Sequence, residues 1–359
     1  MILGIESSCD ETAMALVDCS GEIKAQVLSS QISQHQKHGG VVPELASRSH
    51  FEVLEILYSQ IENQARQFGF DLKNVECVAS TRGPGLVGPL LVGSTFAEGL
   101  ALGWGVPYRG IHHLRGHLAS ALLSDSQNLQ IETLRQRSEK IFPGLVLLVS
   151  GGHTQVLKVN SDLSAQSLIH TVDDAAGECL DKIGKLLGLP YPGGPEIEKC
   201  AEQFRLEEKA QALEIFKLLP RPQAAEGNFS FSGLKTAARL YIEKNLDPKY
   251  KATFCWAIQK VICQIFEMGI ERVIKNKIKN EFSEIKTLVF CGGVSANKVF
   301  RNSMKICAES HGLEFLAPPL KYSTDNAAMI AAAAFLQPQN LDLLEVSPRI
   351  PLELASEKK

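Results

Sequence analysis

Twice along this chain a short apolar run ends in a small polar loop and resumes as a second apolar run. Residues 2–5 (ILGI) and 13–17 (AMALV) flank Glu6-Ser7-Ser8-Cys9-Asp10-Glu11-Thr12. Residues 145–149 (LVLLV) and 155–159 (QVLKV) flank Ser150-Gly151-Gly152-His153-Thr154. Runs of this length bounded by turn-forming residues read as strand–loop–strand. Two such hairpins suggest an internal duplication, carried by the layout more than by the letters. A second pairing supports it. The apolar run 75–79 (VECVA) enters Thr81-Arg82-Gly83-Pro84-Gly85-Leu86-Val87-Gly88, with a helix expected over about 89–103. The run 287–290 (TLVF) enters Cys291-Gly292-Gly293-Val294-Ser295-Ala296-Asn297, with a helix expected over about 296–309. Glycine lets backbone approach a ligand closely, and helix N-termini attract phosphate. The expectation is an α/β chain of two similar lobes, with a ligand in the cleft between them.

Composition limits the function classes. Of the 359 residues, 45% are hydrophobic, too many for a disordered chain. The length suits two domains. Thirty-seven Lys+Arg against 40 Asp+Glu give a net charge of −3, which excludes a globally basic nucleic-acid binder but leaves room for RNA contact through a local patch. Arg272/Lys275/Lys277/Lys279 and Arg115 with Arg48 are the candidate basic clusters. The nine cysteines contain no CxxC pair, so neither a disulfide framework nor a zinc ribbon is indicated, and reduced thiols in the cytoplasm are the simplest reading. No basic stretch precedes an apolar one at the N-terminus, and no run reaches the roughly 18 apolar residues of a membrane span. Apolar spacing near 3.6 predicts helices over 44–66 and 251–279. The polar segment 124–140 reads as a surface excursion, and 346–359 as a frayed tail.

Ile111-His112-His113-Leu114-Arg115-Gly116-His117 is the sharpest chemical signal. His113 and His117 are four apart and share a face on a helix, a spacing that lets two imidazoles grip one divalent metal. The plain alternative is two surface histidines, but three of the chain's nine histidines fall within the six residues 112–117. The HExxH of a metalloprotease is absent, because position 114 is Leu. Asp325, just before the Ala-rich run 327–334, offers a third ligand or an N-cap. Asp10 and Glu11 are either turn formers or groups that take a proton or orient a water. Ser150, Gly151 and Gly152 form either an anion nest or a plain tight turn. Asp181 could bind sugar hydroxyls or sit on a solvated face, and the glycines of Tyr191-Pro192-Gly193-Gly194-Pro195 would let backbone pack on a flat ligand.

Taken together, GIESSCDET, HGGVVPELASRSH, GPGLVG, HHLRGH, LVSGGHTQ, DDAAGECLDK, YPGGP, FSFSGLKT, CGGVSAN and STDNAAMIA give this sequence a specific likeness. It resembles the tRNA adenosine threonylcarbamoyltransferase family, in its bacterial and organellar branch, over residues 1 to about 336. The resemblance implies a two-lobed actin-like fold of the sugar kinase/Hsp70/actin type, with duplicated mixed sheets flanked by helices. The lobes are expected at 1–110 plus 326–345 and at 111–325, with 346–359 as tail. It implies transfer of a threonylcarbamoyl group from threonylcarbamoyl-AMP to N6 of adenosine 37 in tRNAs reading codons that start with A, with AMP leaving. Carried over by motif, His113, His117 and Asp325 are the metal ligands. Iron(II) is the metal implied, with zinc or magnesium as alternatives. Leu148, Val149, Ser150, Gly151, Gly152, Asp181, Gly194 and Asn297 fall on adenylate-binding positions, which could also take ATP or ADP. Asp10 and Glu11 match loop carboxylates important for activity. Archaeal relatives place a Tyr ligand in the strand before SGG, where this chain has LVLLV. The implied partners are tRNA, an inactive homologous subunit and a small P-loop ATPase, with no membrane.

The donor so implied is an activated mixed anhydride, so no covalent nucleophile is needed. The site has to hold the carbonyl near N6, exclude water and neutralise the departing phosphate. Arg82 is a candidate phosphate contact. Three other readings compete. An actin-like ATPase or small-molecule kinase would bind Mg²⁺ through carboxylates and water rather than a histidine pair. A metalloprotease lacks its general base here, and a non-catalytic scaffold of this family would lack the HxxxH pair.

Overall fold

Both expected hairpins form. Strand β1 (Ile2–Glu6) pairs antiparallel with β2 (Glu11–Val17), Ile2 opposite Val17 and Glu6 opposite Ala13. Every residue of β1 is buried, as a central strand covered on both faces requires. β3 (Ile23–Ser30) adds antiparallel to β2. On the other side β4 (Cys77–Gly83) runs parallel to β1, and β5 (Tyr108–His112) parallel to β4. The second sheet contains β6 (Gly144–Val149), β7 (Thr154–Val159), β8 (Ala165–His170), β9 (Thr287–Cys291) and β10 (Glu314–Leu316). The two orders are β3-β2-β1-β4-β5 and β8-β7-β6-β9-β10. Each strand of the first sheet has its counterpart five strands later, which is the duplication the hairpins suggested.

The computed structural model describes residues 1–123, 132–224, 227–278 and 282–352. Helices of eight residues or more in these segments are α1 (Pro43–Gln67), α2 (Val87–Trp104), α3 (His113–Ser120), α4 (Leu134–Ile141), α5 (Ala176–Leu186), α6 (Gly193–Ala201), α7 (Lys209–Leu218), α8 (Ser232–Asn245), α9 (Lys251–Val273), α10 (Lys298–Ser310) and α11 (Ala327–Leu336). The chain divides into two units. The first holds Met1–Pro143, Val159–Gln166 and Pro318–Lys359; the second holds Gly144–Lys158 and Ser167–Ala317. Residues 111–143, 159–166 and 318–325, expected with the second lobe, therefore belong to the first unit. The physical reason is α11, which packs on both α3 and β1.

Local sequence accounts for these elements. In α1, Pro43 opens the helix, and Ala46, His50, Leu54, Leu57, Ile61 and Ala65 recur on its buried face, the 3.6 period of an amphipathic helix. In α11 the alanines keep the helix slim enough to be buried on nearly all sides. Helix α4 starts at a reciprocal capping box between Thr133 and Gln136. The segment 124–140, expected as a surface excursion, thus contains most of a helix, with Leu134 fully buried; residues 124–131 lie outside the described residues. In the second unit, Phe266 of α9 is fully buried and sits against Phe229, Phe231, Phe290 and Phe300. The predicted helix over 251–279 continues past Val273 as a wider turn, Ile274–Ile278; Lys279 lies outside the described residues.

The expected frayed tail is corrected over 346–352. Leu343 N–H donates to Gly110 O at 2.8 Å and Ser347 N–H to Arg82 O at 2.9 Å, while Asp342 pairs with Arg109 at 2.7 Å. A Cβ on Gly110 would stand 2.1 Å from Leu343 O, and one on Gly83 2.0 Å from Ser347 O. The glycines of β4 and β5 are what lets this strap lie down. Residues 353–359 are outside the described residues.

Candidate functional site

Strand β5 ends in His112, whose Nδ1 accepts from Leu114 N–H at 3.2 Å and caps α3. The helix then presents His113 and His117 one turn apart, with ring centroids 4.8 Å apart and planes at 82°. Asp325 arrives just before α11. Asn326, not Asp325, caps that helix, its Oδ1 accepting from Met329 N–H at 2.9 Å. The Asp325 carboxylate is left to face the histidines. Its Oδ1 is 3.5 Å from His113 Nε2 and 3.2 Å from His117 Nε2. One donor atom from each of the three residues lies within 4.8 Å of the others.

This geometry fits a divalent cation. His117 is fully buried, and neither of its ring nitrogens makes a hydrogen bond; the Asp325 oxygen is close to Nε2 but not aligned to accept from it. A buried imidazole whose nitrogens make no aligned hydrogen bond carries a desolvation cost, and a cation between the rings and the carboxylate would offset it. Two nitrogens and one carboxylate oxygen suit iron, zinc or other first-row divalent ions. Burial pushes the Asp325 carboxyl up, but the adjacent His113 and His117 hold it far below the usual carboxylate range. Burial opposes a charge on His113, but Asp325 and Glu6 outweigh it and raise its basicity.

The polar loop between β1 and β2 lies in the same unit. Asp10 and Glu11 are half-buried. Burial raises both carboxyls, and the negative charges of Asp325, Asp10 and Glu6 help push Glu11 up to about 9. The loop is held from below by the HGGVVPELASRSH segment, whose role the sequence did not disclose. His50, fully buried on α1, has Nε2 at 3.0 Å from Cys9 O and Nδ1 at 2.7 Å from Thr12 Oγ1. The ring is neutral, with Nε2–H donating to the carbonyl and the Thr12 hydroxyl donating to Nδ1. His35 lies beneath, its ring against Gln31 Oε1 at 3.1 Å and accepting from Val42 N–H at 3.3 Å.

Burial lowers the affinity of His50 for a proton below the ordinary 6.5, despite nearby Glu6 and Asp10. The unfolded chain therefore protonates first as pH falls. The stability His50 confers is present above 6.5 and is lost as pH drops through it. Denaturation midpoints measured across that range are expected to fall for the wild type and to fall less for His50→Gln. Parallel profiles would contradict this.

In the second unit Leu148 to Gly152 and Asn297 lie at or just after the carboxyl ends of parallel β6 and β9, where open α/β sheets hold ligands. Leu148 and Val149 are fully buried strand residues, so only their backbone can serve a ligand. The turn Ser150–Gly152 closes by Ser150 N–H to His153 O at 2.8 Å, and Gly151 and Gly152 are exposed. It adjoins the start of α5, where Ala176 N–H donates to Thr154 Oγ1 at 2.9 Å. A Cβ on Gly177 would come 2.5 Å from Ser150 O, and one on Gly292, at φ +89, 2.4 Å from Val149 O. The SGG turn, the CGG turn and the α5 N-terminus are thus in direct apposition. Asp181 Oδ1 accepts from Gly193 N–H at 2.7 Å, beside Gly194. Asn297 is committed to structure: its Oδ1 accepts from Val299 and Phe300 N–H, and its Nδ2 donates to Gln259.

Two arginines leave the list of candidate phosphate contacts. Arg82 is 7% exposed, pairs with Glu98 and donates to the Tyr108 hydroxyl at 2.9 Å. Arg115 is 4% exposed and donates to Leu341 O at 3.0 Å. Of the basic clusters, Arg48 is exposed beside Glu44, Arg272 donates to Gln223 and Lys275 pairs with Glu271; the Lys277 side chain and Lys279 lie outside the described residues. Sequence reasoning missed Glu6. It is fully buried at the end of β1, with Oε2 3.1 Å from His113 Nδ1. The signal was a carboxylate ending an otherwise apolar strand.

Among the described residues no helix is long and apolar enough to cross a membrane. The sequence profile of the family described as tRNA N6-adenosine threonylcarbamoyltransferase matches residues 22–332. A protein of that name from Francisella philomiragia is 42% identical over 338 residues, 93% of each chain. Another from Brucella anthropi is 41% identical over 367 aligned positions, 98% of this chain and 95% of that one. Among solved structures, HypF of T. kodakarensis superposes with a TM-score of 0.56 at 15% identity, covering 93% of this chain and 47% of that one. Component A of the Acidaminococcus fermentans (R)-2-hydroxyglutaryl-CoA dehydratase superposes with a TM-score of 0.50 at 14% identity, covering 93% and 97%. These structures speak for the actin-like fold alone. Identity above 40% along nearly the whole of both chains makes this protein a tRNA-modifying transferase, and it belongs to the tRNA N6-adenosine threonylcarbamoyltransferase family.

Proposed function

We propose that the chain transfers threonylcarbamoyl from threonylcarbamoyl-AMP to N6 of adenosine 37, in tRNAs reading codons that begin with A, and releases AMP. The observation that carries the reading is the meeting of His113, His117 and Asp325 donor atoms within 4.8 Å of one another. These residues would hold one divalent cation, iron(II) first, with zinc or magnesium as alternatives. A cation held there would supply Lewis-acid and template chemistry for a departing phosphate. The exposed backbone of Gly151 and Gly152 binds the threonylcarbamoyl end, with Ser150 closing the turn on His153 and the Leu148 and Val149 backbone behind it. Asp181 and Gly194 take the nucleoside, and Asn297 fixes the turn beside them. The loop acids manage the proton that N6 releases. Asp10 or Glu11 accepts it, or orients a water that does; burial raises both carboxyls toward the basicity such a group needs.

The charge of −3 on the whole chain leaves tRNA binding to a shared surface. We assign the missing contacts to the homologous subunit and the small P-loop ATPase implied by the resemblance, working together in the cytoplasm. The test is reconstitution with threonine, bicarbonate, ATP, the adenylate-forming enzyme, the partner proteins and unmodified tRNA, followed by mass spectrometry of the nucleosides. Threonylcarbamoyladenosine at position 37, lost on chelation, is the expected product. Modification of ATP-dependent small acceptors instead would favour a kinase.

A further inference from the structure

We propose that Glu6 is a positioning residue for the metal centre, fixing His113 so that Nε2 is the ligating nitrogen. The inference rests on the metal reading above. The His113 ring is engaged on opposite edges. Its Nε2 faces Asp325 Oδ1 at 3.5 Å, and its Nδ1 faces Glu6 Oε2 at 3.1 Å. Glu6 also accepts from Ser8 N–H on Oε1 at 2.6 Å and from the Thr81 hydroxyl on Oε2 at 2.6 Å. These donors come from the β1–β2 loop and from β4, so the carboxylate is pinned by two elements before it meets the imidazole.

Burial sharpens the argument. Glu6 is 0% exposed, and among the described residues no Lys or Arg pairs with it. A buried carboxylate without a cationic partner is strongly disfavoured. Here the compensating positive end is the His113 N–H, backed by whatever cation Nε2 holds. Carboxylate–histidine–metal relays of this form fix the tautomer, orient the ring and strengthen the ligand, and losing the outer carboxylate lowers metal affinity by about 10- to 100-fold. Among the described residues Ser8 Oγ is the one rival, 3.2 Å from the same Nδ1. A hydroxyl carries no charge and would not balance the ligand's developing positive charge.

The test is Co²⁺ binding to the full chain, followed by its visible spectrum and by competition with a chelator. Glu6→Gln keeps the volume and removes the charge. It is expected to stay folded by circular dichroism and to bind Co²⁺ about 10- to 100-fold more weakly than wild type. Ser8→Ala is expected to bind as wild type does. Equal affinity in Glu6→Gln and wild type overturns the proposal, as does a loss in Ser8→Ala comparable to that expected of Glu6→Gln. Should Glu6→Gln fail to fold, the Ser8→Ala measurement still decides between the two neighbours of Nδ1. A wild-type chain that binds no Co²⁺ at all sinks the metal reading itself, a different failure from wild-type binding with an indifferent Glu6.

Discussion

Asp325→Asn is expected to abolish stoichiometric metal binding and to lower threonylcarbamoyl transfer by about a thousandfold, with the fold intact. The magnitude follows from the several kcal/mol a Lewis-acidic cation contributes, at about 1.4 kcal/mol per tenfold in rate. The fold survives because the cap of α11 belongs to Asn326, whose Oδ1 receives Met329 N–H. The substitution keeps the side-chain shape but gives His113 and His117 a weak neutral acceptor in place of a carboxylate. Metal content and nucleoside mass spectrometry, run on one preparation, check it. Full transfer by a metal-depleted Asp325→Asn enzyme would end the proposed mechanism.

Phe266→Ala is expected to remove about 3–5 kcal/mol of stability, the range for deleting a buried aromatic ring. Phe266 is fully buried and touches four other phenylalanines, drawn from the FSFSGLKT segment, β9 and α10. Aromatic edge-to-face contacts add to the area term. Whole domains are stable by only about 5–15 kcal/mol, so the second unit would stand near its limit. Each unit has its own reporter, Trp104 on α2 and Trp256 on α9, the latter stacked on Phe204 at 4.9 Å. In a Trp104→Phe background, the denaturant midpoint of Trp256 fluorescence should fall sharply. A shift worth less than about 1 kcal/mol would mean the site collapses around the missing ring.

Much of the fold was legible because the strong signals are local. The strand–loop–strand layout gave both sheets' first hairpins, and the 3.6 spacing of Ala46, His50, Leu54, Leu57, Ile61 and Ala65 gave α1 to within a residue or two. The histidine spacing brought His113 and His117 together because a helix fixes it. What escaped was set by distant chain. Arg115 looked like a surface cation, but Leu341 O, 226 positions away, takes its guanidinium. Arg82 looked like a phosphate ligand, but Glu98 and Tyr108 enclose it. Glu6 read as the start of a polar loop, because nothing near it in sequence shows that His113 stands across from it. The competition between Asp325 and Asn326 for the cap was open in the sequence; two adjacent residues of equal capping ability can be separated only by which one the cluster needs.

The order of synthesis bears on the strap and on α11. The first unit is discontinuous, and its last segment begins only at Pro318. Two imidazoles leave the ribosome some two hundred residues before the acid that completes their triad. At about 5–20 residues per second, the nascent first unit waits many seconds without α11 against β1, whereas the second unit is nearly complete by then. A message cut short after codon 317 but before codon 325 therefore yields a polypeptide that has both histidines and a finished second unit, yet no acid to close the triad.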